Sequence, residues 1–104
     1  MSKRLVTRYA MRSAADADEN QRRVEGVFAE LGATKPATVS YLVLRLADDS
    51  FVHVSFHFEG DGEPNPITSL ASFGHFQDGH DDRRAGDVDQ QRAQLVGAYI
   101  TRIE

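Results

Sequence analysis

The sequence predicts a single α+β domain in which two halves each run strand, helix, strand. Two observations predict it. Apolar residues recur at helical spacing in two separate segments, around 24–31 and 67–76, and short runs of strand formers flank each segment. The chain's 104 residues leave room for one core and no second domain, so the domain spans residues 1–104.

Residues 5–11, Leu-Val-Thr-Arg-Tyr-Ala-Met, form a short run with strand formers and no helical stripe, and read as the first strand. Asp16 and Glu19 stand three apart, which suits an N-cap carboxylate and its reciprocating partner, so a helix is expected to begin near Asp16. Val24, Val27, Phe28 and Leu31 make its buried face, and Gly32 is the expected stop. Residues 39–46 are apolar at nearly every position, as in a strand covered on both faces. Asp48, Asp49 and Ser50 supply a turn, after which 51–58 alternate Val52, Val54, Phe56 and Phe58 with Phe51, His53, Ser55 and His57. The two runs predict a hairpin.

The Gly60-Asp61-Gly62-Glu63-Pro64 segment ends that strand, and Asn65 followed by Pro66 matches an N-cap with proline at the first helical position. Ile67, Leu70, Phe73 and Phe76 carry the stripe of a second helix that ends by Gly79. Residues 80–94 are dominated by Asp, Arg and Gln and read as a long connection or solvated helix extension, in the position of a lid. The alternating run 95–103 reads as the final strand.

Composition excludes several functions. Twelve Lys and Arg against 16 Asp and Glu give a net charge of −4, which repels nucleic acid and anionic membranes. The absence of Cys removes disulfides, thiolate metal sites and thiol nucleophiles. A basic start, Met1-Ser2-Lys3-Arg4, precedes no apolar run of secretory-signal length and no stretch of membrane-spanning length, so the expected location is the cytoplasm.

Two strand-helix-strand units joined by a hairpin are the ferredoxin-like βαββαβ pattern, with both helices on one face of a four-stranded antiparallel sheet. The greasier set, Leu42, Leu44, Leu46, Val52, Val54, Phe56 and Phe58, is expected beneath the helices. Tyr41, Val43, Phe51, His53, Ser55 and His57, joined by Tyr9 and Tyr99, would then face away. That open face is aromatic and mixed polar, and a second copy covering it predicts a homodimer.

The stretch from Asp18-Glu19-Asn20 through Val27-Phe28-Ala29-Glu30-Leu31, the strand Phe51-Val52-His53-Val54, and Asn65-Pro66-Ile67-Thr68 leading to Phe73 carry a resemblance. With its topology, the chain resembles the dimeric α+β barrel proteins, and within them relatives of the antibiotic biosynthesis monooxygenases. The resemblance implies two sheets facing each other as a barrel, and a pocket between sheet and helices or inside the barrel. It further implies cofactor-independent oxidation of a small aromatic or quinol-like molecule by oxygen. Haem-degrading members use an Asn on the first strand, a Trp and an axial His; this chain has no Trp and no Asn in that strand.

His53 and His57 are the candidate catalytic residues, since an imidazole in a partly dry barrel accepts a phenolic proton near neutral pH. Packed or interface histidines are the plainer alternative. Four residues along a strand separate them by roughly 13 Å, too far to share a metal ion, and no metal or cofactor site is expected. Tyr9, Tyr41 and Tyr99 are the candidate substrate contacts, each suited to donate a hydrogen bond to an oxygenated ring and equally suited to an interface. His75, Asp78, His80, Asp81 and Asp82 cluster, but read as the solvated end of a helix. Arg8, Arg45 and Arg102 could meet an acidic ligand and read as solvated or cross-paired. No catalytic triad, phosphate loop or dinucleotide fingerprint is present, so a non-catalytic ligand-binding or assembly module is the rival reading.

Overall fold

The computed structural model describes residues 3–58 and 65–103. Strand β1 (Lys3–Met11) leads into the long helix α1 (Ala14–Thr34), followed by the hairpin β2 (Val39–Arg45) and β3 (Phe51–His57), the short helices α2 (Ala71–Gln77) and α3 (His80–Arg83), and β4 (Arg84–Arg92). The strands make one antiparallel sheet in the order β2-β3-β1-β4, the ferredoxin-like arrangement expected from the sequence. The expected break at 60–64 lies outside the described residues.

Helix α1 begins earlier than expected because Ser13, not Asp16, is its cap: the Ser13 Oγ accepts from the Asp16 backbone N–H at 3.1 Å and donates to the Asp16 carboxylate at 3.0 Å. It also runs past Gly32. Lys35, in the left-handed region at φ 47°, closes it by donating its N–H to the Leu31 carbonyl. The β2–β3 turn forms as expected, with Asp49 at φ 68° and the Asp48 carboxylate accepting from the Ser50 N–H. Asn65 caps as expected too, accepting from Ile67 and Thr68, but what it caps is a turn, and α2 proper starts at Ala71.

The last strand is where sequence patterning misled. Residues 84–92, expected as a connection, pair with β1, while 95–103 adopt no regular structure. An edge strand needs backbone pairing on one side only and tolerates polar residues throughout, so β4 shows no apolar alternation. Its register shifts between Arg8 and Ala10 of β1, opposite a segment where Gly86 sits at φ 85°, a conformation glycine adopts without steric cost. The alternation in 95–103 is real but serves no sheet; Val96 and Tyr99 are 97% and 91% exposed.

The two sheet faces are inverted relative to expectation. Along β3, Phe51, His53, Ser55 and His57 are the buried residues, and they lie beneath the helices with Tyr9 of β1 and Tyr41 and Val43 of β2. Val52, Val54 and Phe56 face the other way with Leu42 and Leu44, and Leu44 is 53% exposed. Apolar content misassigns the face because the polar groups of Tyr9, Tyr41, His53, Ser55 and His57 bond to one another, which removes much of the desolvation cost. Among the described residues no helix is long and apolar enough to cross a membrane.

Candidate functional site

The inward face of the sheet and the helices line a cavity of about 220 Å³ that opens to solvent on one side. Tyr9, Tyr41, His53 and His57, four of the five residues singled out in the sequence, lie on its wall, with Phe76 and His80 across from them. Tyr99, the fifth, does not line it and lies in the exposed trailing segment. At that volume, below the roughly 300–1,000 Å³ of sites for drug-sized ligands, the cavity suits a molecule of about one ring.

Each wall residue is aimed by its strand register. Thr7 of β1 and Val43 of β2 flank His53 on neighbouring strands, and Tyr9 and Tyr41 reach it diagonally. The Tyr9 hydroxyl is 2.6 Å from His53 Nε2 and the Tyr41 hydroxyl 2.6 Å from His53 Nδ1, so both ring nitrogens are engaged by phenols. Phe76 packs on the His53 ring at 5.6 Å, and Phe28 stacks on Tyr41 at 5.2 Å. His57 Nε2 bonds the Ser55 hydroxyl at 3.0 Å.

Behind Tyr9 the network continues into the protein. Asn20, fully buried on α1, donates its Nδ2 to the Tyr9 oxygen at 2.9 Å. Arg83, 5% exposed, donates to the Asn20 Oδ1 at 3.1 Å and to the Phe76 and Asp78 carbonyls at 2.8 Å each. Besides the Asn20 amide, this buried cation thus bonds carbonyl oxygens at the end of α2, where the helix dipole favours positive charge, and no carboxylate. The result is a continuous chain, Arg83, Asn20, Tyr9, His53, Tyr41, from the protein interior to the cavity.

Burial sets the protonation states. It pushes His53 down to about 4, with the nearby His80 acting in the same direction, and lowers His80 to about 4, aided by Arg83 and Arg84. It pushes the Tyr9 phenol up to about 12 against the opposing bond from Asn20, and raises Tyr41 as well. At neutral pH all four are uncharged. His57 is lowered by burial and by Lys3. The surroundings of His80 are equally specific: Arg84 donates to its Nδ1 at 2.8 Å, so the ring proton sits on Nε2, which is buried with no hydrogen-bond partner.

His80 corrects the solvated-helix reading of its cluster. His75, Asp78, Asp81 and Asp82 are exposed as expected, but His80 is buried against Tyr9 at 4.6 Å and Phe76 at 5.1 Å. Asn20 and Arg83 were missed altogether. Their signals were present: Asn20 interrupts the stripe Ala17, Asn20, Val24, Val27, and the Phe73, Phe76 stripe continues at the same spacing to His80 and Arg83. A polar residue on an apolar stripe needs a buried partner. Arg45 pairs with Asp49 in the adjoining turn and Asp18 on α1, not across the sheet as expected. Among the described residues no three His, Asp or Glu side chains are grouped to hold a metal ion.

No family model matches the sequence, and no curated protein matches it. Solved structures do. A candidate antibiotic biosynthesis monooxygenase from Caulobacter crescentus superposes with a TM-score of 0.72 over 92% of this chain and 91% of its own, at 14% identity. The chain shares its fold. A second candidate antibiotic biosynthesis monooxygenase, from Nitrosomonas europaea, gives 0.70 over 91% and 90% at 10% identity. SnoaB, a cofactor-independent oxygenase from Streptomyces nogalater, gives 0.63 over 93% and 95% at 15% identity. The shared fold is the one the sequence resemblance implied.

Proposed function

We propose that the protein is a cytoplasmic, homodimeric, cofactor-independent oxygenase acting on a small aromatic or quinol-like molecule held in the sheet–helix cavity. The observation that carries this reading is the cavity wall itself, with two phenols, the neutral His53 they hold, and apolar rings opposite. The shared fold with SnoaB supports it. A ring hydroxyl that binds beside Tyr41 already ionised, its proton left in solvent and returned on forming the hydroperoxide, makes the ring electron-rich, so the substrate supplies the electrons. Dioxygen adds at a ring carbon that bears hydrogen to give a hydroperoxide; loss of water from it leaves a carbonyl. His53 acts through Tyr41, since both its nitrogens are occupied, and His57 with Ser55 lies farther along the same wall.

Oxygen uptake by the purified protein on a panel of hydroquinones and polyphenols tests the chemistry. Tyr41→Phe and His53→Ala are expected to reduce uptake at least tenfold, and His57→Ala less, in line with losses from single positioned polar groups. No uptake on any substrate, with ligand binding retained, would leave the non-catalytic binding module.

The homodimer rests on the open face, where Leu44 is exposed and Leu42, Val52, Val54 and Phe56 are half-buried in a single chain, beside a trailing segment exposing Val96, Ile100 and Ile103. Two such sheets packed face to face close a barrel. Sedimentation at micromolar concentration should give one species of twice the chain mass, and Leu44→Asp should split it; a wild-type monomer would sink the assembly.

A further inference from the structure

We infer that Arg83 and Asn20, which do not line the cavity, are positioning residues that set the direction of the whole hydrogen-bonded chain and make Tyr41 a donor toward the ligand, so that the site takes an ionised phenol or enol by its oxygen. For the ligand this rests on the reading above; for the proton positions it does not.

The assignment follows from what each group can do. An arginine only donates, so the Asn20 oxygen must face Arg83 and its NH₂ must face Tyr9, as the contacts show. The Tyr9 oxygen therefore accepts from Asn20 and keeps its own proton for His53 Nε2, 2.6 Å away. A neutral imidazole whose Nε2 accepts carries its proton on Nδ1. That proton goes to the Tyr41 oxygen, also at 2.6 Å, and the Tyr41 hydroxyl hydrogen has only the cavity left to serve. The reverse order would leave the Tyr9 proton with no acceptor, an outcome costly for a side chain only 4% exposed. A single remote charge thus polarises every bond in the series, each strengthening the next.

A donor at the wall favours an acceptor oxygen that carries negative charge, because hydrogen bonds to ionised groups are roughly twice as strong as neutral ones. The same donor stabilises the electron-rich form of the ring that dioxygen attacks.

Long-range ¹H–¹⁵N correlation of the His53 ring reads the chain without any ligand. Wild type should show Nδ1 protonated and Nε2 bare. Asn20→Asp is the decisive variant: a carboxylate keeps Arg83 satisfied but can only accept from Tyr9, so the chain reverses and His53 should switch to the Nε2–H form. Arg83→Met frees the Asn20 amide to turn over and should give mixed tautomers, with Arg83→Lys restoring one. For the ligand, 4-nitrophenol is the probe and 4-nitroanisole its non-ionising control. Wild type should bind the phenolate preferentially, and Asn20→Asp and Tyr41→Phe should each weaken it about tenfold or more with little effect on the anisole.

Tyr41→Phe keeps the test available should Asn20→Asp fail to fold, since it removes the terminal donor and leaves the chain behind it intact. An Nε2–H tautomer in wild type, an unswitched tautomer in folded Asn20→Asp, or no preference for the phenolate, including no binding of either probe, would overturn the inference. Phenolate binding without oxygen uptake would uphold it and overturn the oxygenase reading alone.

Discussion

Lowering the pH from 6.5 toward 4 is expected to cost the fold roughly 3 kcal/mol through His53 alone, with His80 adding to the loss. Both imidazoles are buried in neutral form, so the unfolded chain binds protons at a higher pH than the folded one. The stabilisation is therefore complete above the unfolded value of 6.5, declines as pH falls, and is lost through the folded value of about 4. Three carboxylates, Glu19, Glu30 and Asp48, are held below their ordinary values by hydrogen bonds, first among them those from Arg22, Ser72 and Ser50, and so add to the loss at the acid end. Denaturant unfolding at half-unit pH steps reads the effect, and His53→Phe and His80→Phe should flatten it. A His53 ring that titrates near 6.5 by NMR would refute the dry, neutral site.

Phe51→Ala should cost about 3–5 kcal/mol, the range for truncating a large buried aromatic, and lower Tm by more than about 12 °C in a chain of this size. Phe51 is 1% exposed and its ring stacks on Tyr9 at 5.8 Å and 14°, with the Arg45 guanidinium 6.0 Å above it. Its removal opens a void directly behind the phenol that holds His53, so site geometry should loosen together with stability. Thermal unfolding followed by circular dichroism measures the loss. A cost below that of Val54→Ala would mean that the inward face is the other one.

That comparison marks the boundary between sequence and structure. Helix α1 was legible because its apolar residues repeat at a period only a helix satisfies, α2 only in its Phe73–Phe76 half because Ile67 and Leu70 lie in the turn and cap before it, and the β2–β3 hairpin because Asp48-Asp49-Ser50 carries turn chemistry between two strand-forming runs. Strand β4 was not legible. Its pairing is made by backbone groups that every residue possesses, and every side chain but that of Arg84 is exposed.

The site followed the same division. Tyr9, Tyr41, His53 and His57 stood out as chemistry-bearing residues on strands, and they do share one wall. Which wall was a tertiary matter: alternation along a strand separates two faces but cannot say which one the helices cover. Here the greasier face stays open and the polar aromatic face is buried, because Asn20 from α1 and Arg83 from α3 arrive to complete its hydrogen bonds. The sequence by itself determined the order of elements through the hairpin and the residues able to do chemistry. Only the folded chain decided the last strand, the buried face and the chain from Arg83 to Tyr41, since each depends on partners distant in sequence that local pattern cannot pair.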